Sequence, residues 1–478
     1  MKQRRELRRT TAISLVVTVF LIGLYFSKSI HIQIDFLFLV ATAIFLIIFR
    51  KSIFLFMALA IIFGLSVGLW RGNITKDAIS GYQTNFNKEV TAVGNVVDDP
   101  VYDNKGRLGF RIDSITLEGQ AIAGQIRVKS YVSSIRRGDK IVAVGKLTEG
   151  FANYQASMHY ANVAVVEHSS SLVEKARRKF FTAVYNVLPE PHASLGLGFL
   201  VGLRSALPSE LDEQLRIVGL THIVVASGFN LTILVRIARR LLARYSKYQA
   251  FAGSIILIFG FLMITGASPA IIRAAVVTIL SLLAWFYGRR FQPVLVILLG
   301  AAVTAGYNPL FIWFDVGWWL SFLAFAGVLI IAPIVTKKLY RDKSPQMIVQ
   351  VAVETISAQL VATPLILALF GKISMVALLA NIMVVPIIPF AMLATFVAGM
   401  LGLLIPISLA AWIALPARII LGYIVTVTRF FALPSWAQRD LNIGWLSMII
   451  IYGIIVVMVA IAYRRTHMSF EKIPSVVE

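Results

Sequence analysis

Apolar runs long enough to cross a bilayer recur along most of this chain. Thr11–Ser27, Ile34–Phe49 and Ile53–Trp70 come first. After a polar interval come Ala250–Ile264, Ala270–Tyr287, Val294–Tyr307, Phe311–Pro333, Val349–Phe370, Ile373–Ile405, Ile407–Phe431 and Ile443–Tyr463. Hydrocarbon offers a backbone N–H or C=O no partner, so a spanning segment must bond internally, as a helix or in a closed barrel. Runs of roughly twenty residues fit the helix. Composition agrees: 58% of the 478 residues are hydrophobic and only 14% are charged, with a mean hydropathy of +0.81, a balance foreign to soluble chains. The absence of cysteine excludes disulfides, Cys-ligated zinc and a Cys nucleophile.

Charge sets the expected orientation. Lys2, Arg4, Arg5, Arg8 and Arg9 precede the first run, and Arg50-Lys51 follows the second. The positive-inside bias places both in the cytoplasm, so three crossings bring Arg71 to the outer face. The net charge of +22 partly reflects the same bias in later loops such as Arg236–Lys247; the rest is compatible with a polyanionic partner.

Residues 71–170 have a different pattern. Alternating, β-branched segments occur at Glu89–Val97, Leu108–Thr116, Ala121–Val132, Lys140–Leu147 and Ala161–Val166, separated by Asp98-Asp99-Pro100, Asn104-Lys105-Gly106, Glu118-Gly119 and Arg137-Gly138-Asp139. Five short strands in this length predict a small OB-like β-barrel. Such barrels bind single strands with basic grooves and stacked aromatics, which makes Arg107, Phe110, Arg111, Arg127, Lys129, Tyr131, Arg136 and Arg137 possible DNA contacts. The interval nevertheless carries 12 basic and 10 acidic residues, and a barrel that only caps or assembles a channel fits it equally well. Leu172–Leu188, with Lys175, Arg177, Arg178 and Lys179, reads as a basic amphipathic helix at the membrane surface.

The interval Gly196–Arg236 departs most from a lipid-facing helix. Ser209-Glu210-Leu211-Asp212 reads as a capping box, Leu211, Leu215 and Val218 share a face, and Gly219 ends the helix. His222, Ser227, Gly228 and Asn230 then interrupt an apolar run. Polar groups at membrane depth face protein or a water-filled path. This stretch, with Gly202-Leu203-Arg204-Ser205, Leu207-Pro208, Gly219-Leu220, His222 and Ser227-Gly228, resembles the core of ComEC-type competence proteins, inner-membrane channels for transforming DNA. Asn230 stands where the family usually carries His. Further likenesses are the small-residue-Pro turn Thr265–Pro269 followed by Arg273, Gly288-Arg289, Asn308-Pro309, Gly317–Phe322, Ala358–Leu360, Thr363-Pro364 and Ala380–Pro386. They span most of the chain and are densest between 196 and 390.

The resemblance implies a polytopic all-α membrane channel of about ten to twelve spanning or re-entrant helices with an inserted extracytoplasmic OB-like domain. The expected divisions are residues 1–70 (N-terminal helices), 71–170 (β-domain), 171–218 (amphipathic and re-entrant segments), 219–465 (channel core) and 466–478 (polar tail). The implied function is conduction of single-stranded DNA into the cytoplasm, with Arg204, His222, Ser227, Asn230, Arg273, Gln359 and Asn381 along the path. No cofactor and no metal is expected. The expected partners are single-stranded DNA, membrane lipids, an external DNA receptor, a separate nuclease and a cytoplasmic ATP-driven motor. The motor is inferred because no Gly-x-x-x-x-Gly-Lys-Ser/Thr occurs. The separate nuclease is inferred because the family's His-x-His-x-Asp-His domain has no counterpart here.

Two alternatives remain open at this stage. Ala226-Ser227-Gly228 echoes an intramembrane serine hydrolase, although His222 and Ser227 would point about 140° apart on an ideal helix. A permease for another polyanion or a solute is the other. Arg273 has its own alternative, an ion pair with Glu354 or Asp315. Orientation is testable directly: a single cysteine at Asn104 should react with a membrane-impermeant thiol reagent on intact cells. Labelling only after lysis would reverse the topology.

Overall fold

Twenty helices and ten strands follow one another in the computed structural model, which describes residues 9–102, 106–132, 135–150, 154–203, 207–224, 228–266, 268–288, 292–340 and 346–466. Arg204, Ser227 and Arg289 lie outside these residues. The helices before the barrel are α1 (Arg9–Phe26), α2 (Phe36–Ile48) and α3 (Ile53–Gln83). The strands are β1 (Glu89–Val96), β2 (Val101–Tyr102), β3 (Leu108–Leu117), β4 (Gln120–Ile122), β5 (Ile126–Ser130), β6 (Lys140–Glu149), β7 (Ala156–Met158) and β8 (Asn162–Glu167). Then come α4 (Leu172–Val187), α5 (His192–Val201), α6 (Ser209–Val218), α7 (Thr221–Val224), α8 (Gly228–Leu242), α9 (Lys247–Thr265), α10 (Pro269–Phe286), α11 (Pro293–Tyr307) and α12 (Leu310–Phe314). The chain continues through α13 (Val316–Ala326), a π-helical turn at Gly327–Ile331, α14 (Ala332–Tyr340), α15 (Met347–Phe370), β9 (Lys372–Ser374), α16 (Ala377–Val384), α17 (Ile388–Leu404), α18 (Ile407–Ile413), α19 (Leu415–Ala432), β10 (Gln438–Asp440) and α20 (Trp445–Thr466).

Among the described residues, eight helical segments are long and apolar enough to cross a membrane, and Thr10–Phe26, Phe36–Ile48, His192–Val201 and Pro293–Tyr307 are shorter apolar helices. With the β-barrel, this is the fold of a multi-pass membrane protein carrying a β-domain. The chain divides into two compact units, residues 1–169 with 294–319, and residues 170–293 with 320–478.

In the first unit, α1 and α3 meet backbone to backbone. Gly64, Gly68 and Gly72 recur every four residues on α3, and Gly23 lies on α1. A Cβ on Gly68 would run into the Phe20 carbonyl, and one on Gly23 into the Leu65 carbonyl. This is the small-residue packing that membrane helices use where no hydrophobic force drives them together. The sequence reading ends the third span at Trp70, but α3 runs on to Gln83. Arg71 anchors the extension: its Nε and Nη2 donate to the carbonyls of Gly306 and Tyr307 at 2.8 Å each, and its Nη1 donates to Thr75 Oγ1 at 2.7 Å. Those carbonyls end α11, where no intrahelical donor remains. The Trp313 indole donates to the Leu24 carbonyl at 2.7 Å and closes the last turn of α1 in the same way.

The barrel closes in the order β1-β3-β5-β7-β6 and back to β1; β8 pairs with β6, while β2 and β4 pair with β3. All these pairs are antiparallel except β5–β7, which is parallel. Counting only the five closing strands gives 1-2-3-5-4-1, the OB topology. Its interior is packed with Phe110, Ile112, Ile126, Val128, Ile141, Leu147 and Met158, all buried. The run Ala121–Val132, read as one strand, is two, because Gly124 turns with φ near 125°. Strand β7 escaped sequence reading: three residues without alternation or β-branching give no local signal.

In the second unit, α6 buries Leu211, Leu215 and Val218 as its periodicity predicts. The amides of Gly219 (φ 77°) and Leu220 bond back to Arg216 and Leu215 in a Schellman ending. The expected capping box does not form, because Pro208 occupies the N-cap and Ser209 is already helical. The core joins α4–α7 to α16–α19 through Leu195, Leu197, Phe199, Leu211, Val384, Ile388, Leu421 and Ile424. A second cluster joins α8, α9 and α10 through Leu231, Val235, Ile258, Phe261, Ile271 and Ala275. Ile373–Ile405 divides around Val385–Ile387, where two prolines remove donors. Ile407–Phe431, read as one span, is two helices, α18 and α19, with Pro416 in the first turn of α19.

The α1–α3 contact gives a sharp test. Gly68→Leu puts a side chain where a carbonyl already lies, and overpacking of this kind costs ~1–3 kcal/mol or more. The variant should accumulate poorly and unfold earlier in detergent, whereas Gly453→Leu on α20, with open space around it, should leave both unchanged.

Candidate functional site

Cations and aromatics gather on the outer face of β3, β5 and β7. Alternation puts Arg107, Gly109 and Arg111 on one side of β3, with Leu108, Phe110 and Ile112 on the other, facing the core. The register sets Gly109 opposite Lys129 and Arg111 opposite Arg127, and parallel pairing sets Arg127 beside Ser157. The outward rows therefore line up as Arg107-Gly109-Arg111, then Arg127-Lys129-Tyr131, then Ser157-His159.

Gly109, buried and paired with Val101 of β2, lets the β5 cations lie close over the backbone. A Cβ there would be in contact with Val101 O at 3.6 Å, Lys129 Cγ at 3.8 Å and Arg127 Nη2 at 4.0 Å. The Arg107 guanidinium stacks on Tyr160 (4.9 Å) and that of Arg127 lies over Tyr154 (5.8 Å). Tyr131 and Tyr160 pair at 6.4 Å and are 65% and 61% exposed. Exposed rings held by neighbours rather than by burial are ready-made stacking platforms. His159 shares the face, with Nε2 3.5 Å from Ser157 Oγ. Partial burial, then the charges of Lys129, Arg107 and Arg127, hold its pKa below the ordinary histidine range.

Five expected contacts are placed differently, Arg107 first, since it is only 8% exposed. Phe110 is 1% exposed and belongs to the barrel core; it is the alternate partner of Gly109 in the pleat. Arg111 is clamped to Asp98, whose carboxylate accepts from both its Nε and its backbone N–H at 2.8 Å, so its charge is neutralised locally. Arg136 and Arg137 lie in the β5–β6 connection, where Gly138 bonds to Val96 at the end of β1, away from the β3–β5 rows. Tyr154, His159 and Tyr160 were missed by sequence reading. They join the face only through the parallel β5–β7 pairing, a contact between segments about 30 residues apart.

In the helical unit, Asn230 is fully buried on α8 and its side-chain amide donates to the Phe199 carbonyl at 2.8 Å. Phe199 lies in the last turn of α5, where carbonyls lack intrahelical donors, so Asn230 caps α5 from a distance. Asn381 is buried on α16 and donates to Ala377 O at 2.8 Å, one turn back. Arg273 is 4% exposed on α10, four residues after Pro269. The break before it is real: α9 stops at Thr265 and Gly266 has φ 86°. Glu354 accepts from Gln350 at 2.9 Å, and Asp315 accepts from the Trp318 amide at 3.1 Å. Gln359 is half-buried on α15, and His222 sits in the single turn α7. Ser227, on which the hydrolase alternative depends, and Arg204 lie outside the described residues.

A multi-pass helical membrane protein with an OB-type barrel and a broken-helix core is the class these features define. The family model described as Competence protein matches residues 199–467, more than half of the chain, and the chain belongs to that family. It is 25% identical over 242 residues to "ComE operon protein 3" of Bacillus subtilis (strain 168), covering 50% of this chain and 30% of that protein. It is 28% identical over 161 residues to an uncharacterised protein of Aquifex aeolicus (strain VF5), covering 34% of this chain and 37% of the other. The alignments thus span about a third of the length of these relatives. No solved structure matches it.

The Asn230 cap can be tested apart from function. Asn230→Ala leaves a buried carbonyl without its donor, at a cost of about 1–3 kcal/mol. Unfolding in detergent should shift accordingly, and Asn230→Asp, which sets an acceptor against an acceptor, should shift it at least as far. Unchanged stability in both variants would remove Asn230 from this role.

Proposed function

We propose that this protein carries DNA into the cell as a single strand, and that the β3–β5–β7 face holds the strand before it enters the helical unit. The observation that carries this reading is the Arg127, Lys129, Tyr131, Tyr154 and Tyr160 constellation on an OB-type barrel, in a member of the competence family. Strands 2 and 3 of the OB-fold, here β3 and β5, are the face on which such barrels bind oligonucleotides. A single strand needs point cations along its phosphates and flat platforms for its bases, with no demand for base-specific hydrogen bonds. Arg127 and Lys129 on β5 supply the first, and Tyr131 with Tyr160 the second.

In this reading the barrel faces outward and the N-terminus is cytoplasmic, as the basic residues before α1 and after α2 argue. The path through the membrane runs past Arg204, His222, Ser227 and Arg273, with Gln359 beside it. Asn230 and Asn381 hold the walls by capping and bracing backbone. A permanent cation at membrane depth, such as Arg273, attracts a phosphate, and release requires that each contact be weak. A receptor delivers DNA outside, a nuclease supplies the single strand, and an ATP-driven motor pulls from within.

Binding of a labelled oligothymidylate to the purified full-length protein tests the face. Arg127→Gln and Lys129→Gln should each weaken binding and lower the salt slope by about 0.7. Tyr160→Ala should cost ~1–3 kcal/mol. A phosphate bound among the cations relieves their repulsion on His159 and raises its pKa. Binding then takes up a proton, and affinity rises as pH falls through the ordinary histidine range toward the lowered value of the free protein. His159→Gln should flatten that dependence. Uptake of labelled strands by a deletion strain carrying these variants should fall in the same order. Wild-type affinity and uptake in folded Arg127→Gln, Lys129→Gln and Tyr160→Ala proteins would sink the proposal.

A further inference from the structure

A groove of about 760 Å³ lies between α4 and the end of α17, a size suited to a small-molecule ligand. On one side it is lined by Lys175, Arg178 and Lys179, spaced so that one helix face presents all three. On the other side are Gly402 and Leu403. We propose that this groove binds an anionic phospholipid, its phosphate held by the three cations and an acyl chain laid along Leu403 and the apolar residues beside it.

Four observations favour that occupant. First, no acid lines the groove among the described residues. The acid nearest in sequence, Glu174, is turned into the protein, where it pairs with buried Arg177 at 3.4 Å. Arg177 in turn stacks on Phe181 at 4.5 Å. The sequence reading had placed Arg177 with the other three cations on the surface; burial separates it from them and leaves a trio with no local counter-charge. Second, the groove lies where a membrane-crossing segment, Ala377–Leu404, ends, which is headgroup level. Third, the adjoining surface is apolar and exposed: Leu172, Leu404, Leu409 and, at 76%, Trp412. Exposed leucines beside a Trp and a row of cations are the pattern of a bilayer interface. Fourth, the lining contains no aromatic side chain, so it lacks the stacking platform that a nucleic-acid strand needs.

The packing keeps the groove open. Gly399 and Gly402 let α4 lie directly on α17: a Cβ on Gly402 would come within 2.8 Å of Val187 Cγ2 and 3.0 Å of the Ala183 carbonyl. The close approach holds the α4 backbone against α17 while its long cationic side chains, with Thr182 and exposed Asn186, stand over the cleft. The inference is independent of the proposal for the barrel, since it rests on residues of the other unit.

The test uses full-length protein in nanodiscs and in detergent, with phosphatidylglycerol and phosphatidylcholine as probes and a 20-nucleotide oligothymidylate as the competing polyanion. Native mass spectrometry should show phosphatidylglycerol retained about tenfold over phosphatidylcholine. Lys175→Gln/Arg178→Gln/Lys179→Gln should bring the two to the same level. Leu403→Trp, which fills the groove and keeps every charge, should do likewise. A photo-crosslinking residue at Thr182 in the otherwise native chain should capture lipid. Melting in phosphatidylcholine nanodiscs reports whether each variant is folded, and the crosslink needs no destabilising change. Equal retention of both lipids by the native protein, unchanged preference in both folded variants, or crosslinking of the oligonucleotide in place of lipid would each overturn the assignment.

Discussion

A bilayer solvates no peptide group, and the helical units of this protein are built around that constraint. Each place where a helix ends or bends inside the fold leaves carbonyls without donors. Side chains distant in sequence meet several of them: Arg71 on Gly306 and Tyr307, Trp313 on Leu24, Asn230 on Phe199. Tyr452 donates to Val361 at 3.0 Å, within a turn of Pro364, which lies inside the continuous helix α15 and removes one of its donors. These groups make the helix ends tolerable. An asparagine in such a run is therefore as much a solvent for backbone as a group for cargo.

The same economy explains the glycines. Where two helices meet without water to expel, close approach is the main source of attraction. Gly23, Gly64, Gly68 and Gly72 bring α1 to α3, and Gly399 and Gly402 bring α4 to α17. In the first pair the result is two closely packed parallel helices, the second of which continues past the apolar run as far as Gln83. In the second it is a basic amphipathic helix pressed onto one long and apolar enough to cross a membrane. One packing rule thus serves a structural joint and a proposed lipid site.

The barrel follows other rules, because water reaches its outer face. There the alternation of β3 and β5 separates a largely apolar interior from a row of cations, and the nearly balanced charge of the interval conceals this. The acids are engaged elsewhere: Asp98 clamps Arg111, and buried Asp139 accepts from the amides of Arg136 and Ser169. Arg127 and Lys129 share the outward row of β5 beside Gly109. Net charge counted along a sequence is a poor guide to a surface on which some charges are already paired.

Sequence alone determined the class of this protein. Apolar runs admit only helices in a membrane, and alternation with turn residues between Glu89 and Glu167 admits only a small barrel. The motifs from Gly202 to Pro386 pointed to the competence family before any coordinates. Alternation around Gly109 already implied that Phe110 faces inward, opposite Arg107 and Arg111. The tertiary structure decided which polar residues are engaged and which are presented. Asn230 meets Phe199 across 31 residues, and Arg177 turns inward while its neighbours do not. Tyr154, His159 and Tyr160 reach the cationic face through a parallel strand pairing that skips over β6. Local sequence fixes the period of an element and hence its faces; what each face meets depends on contacts between distant segments, and no local pattern encodes those.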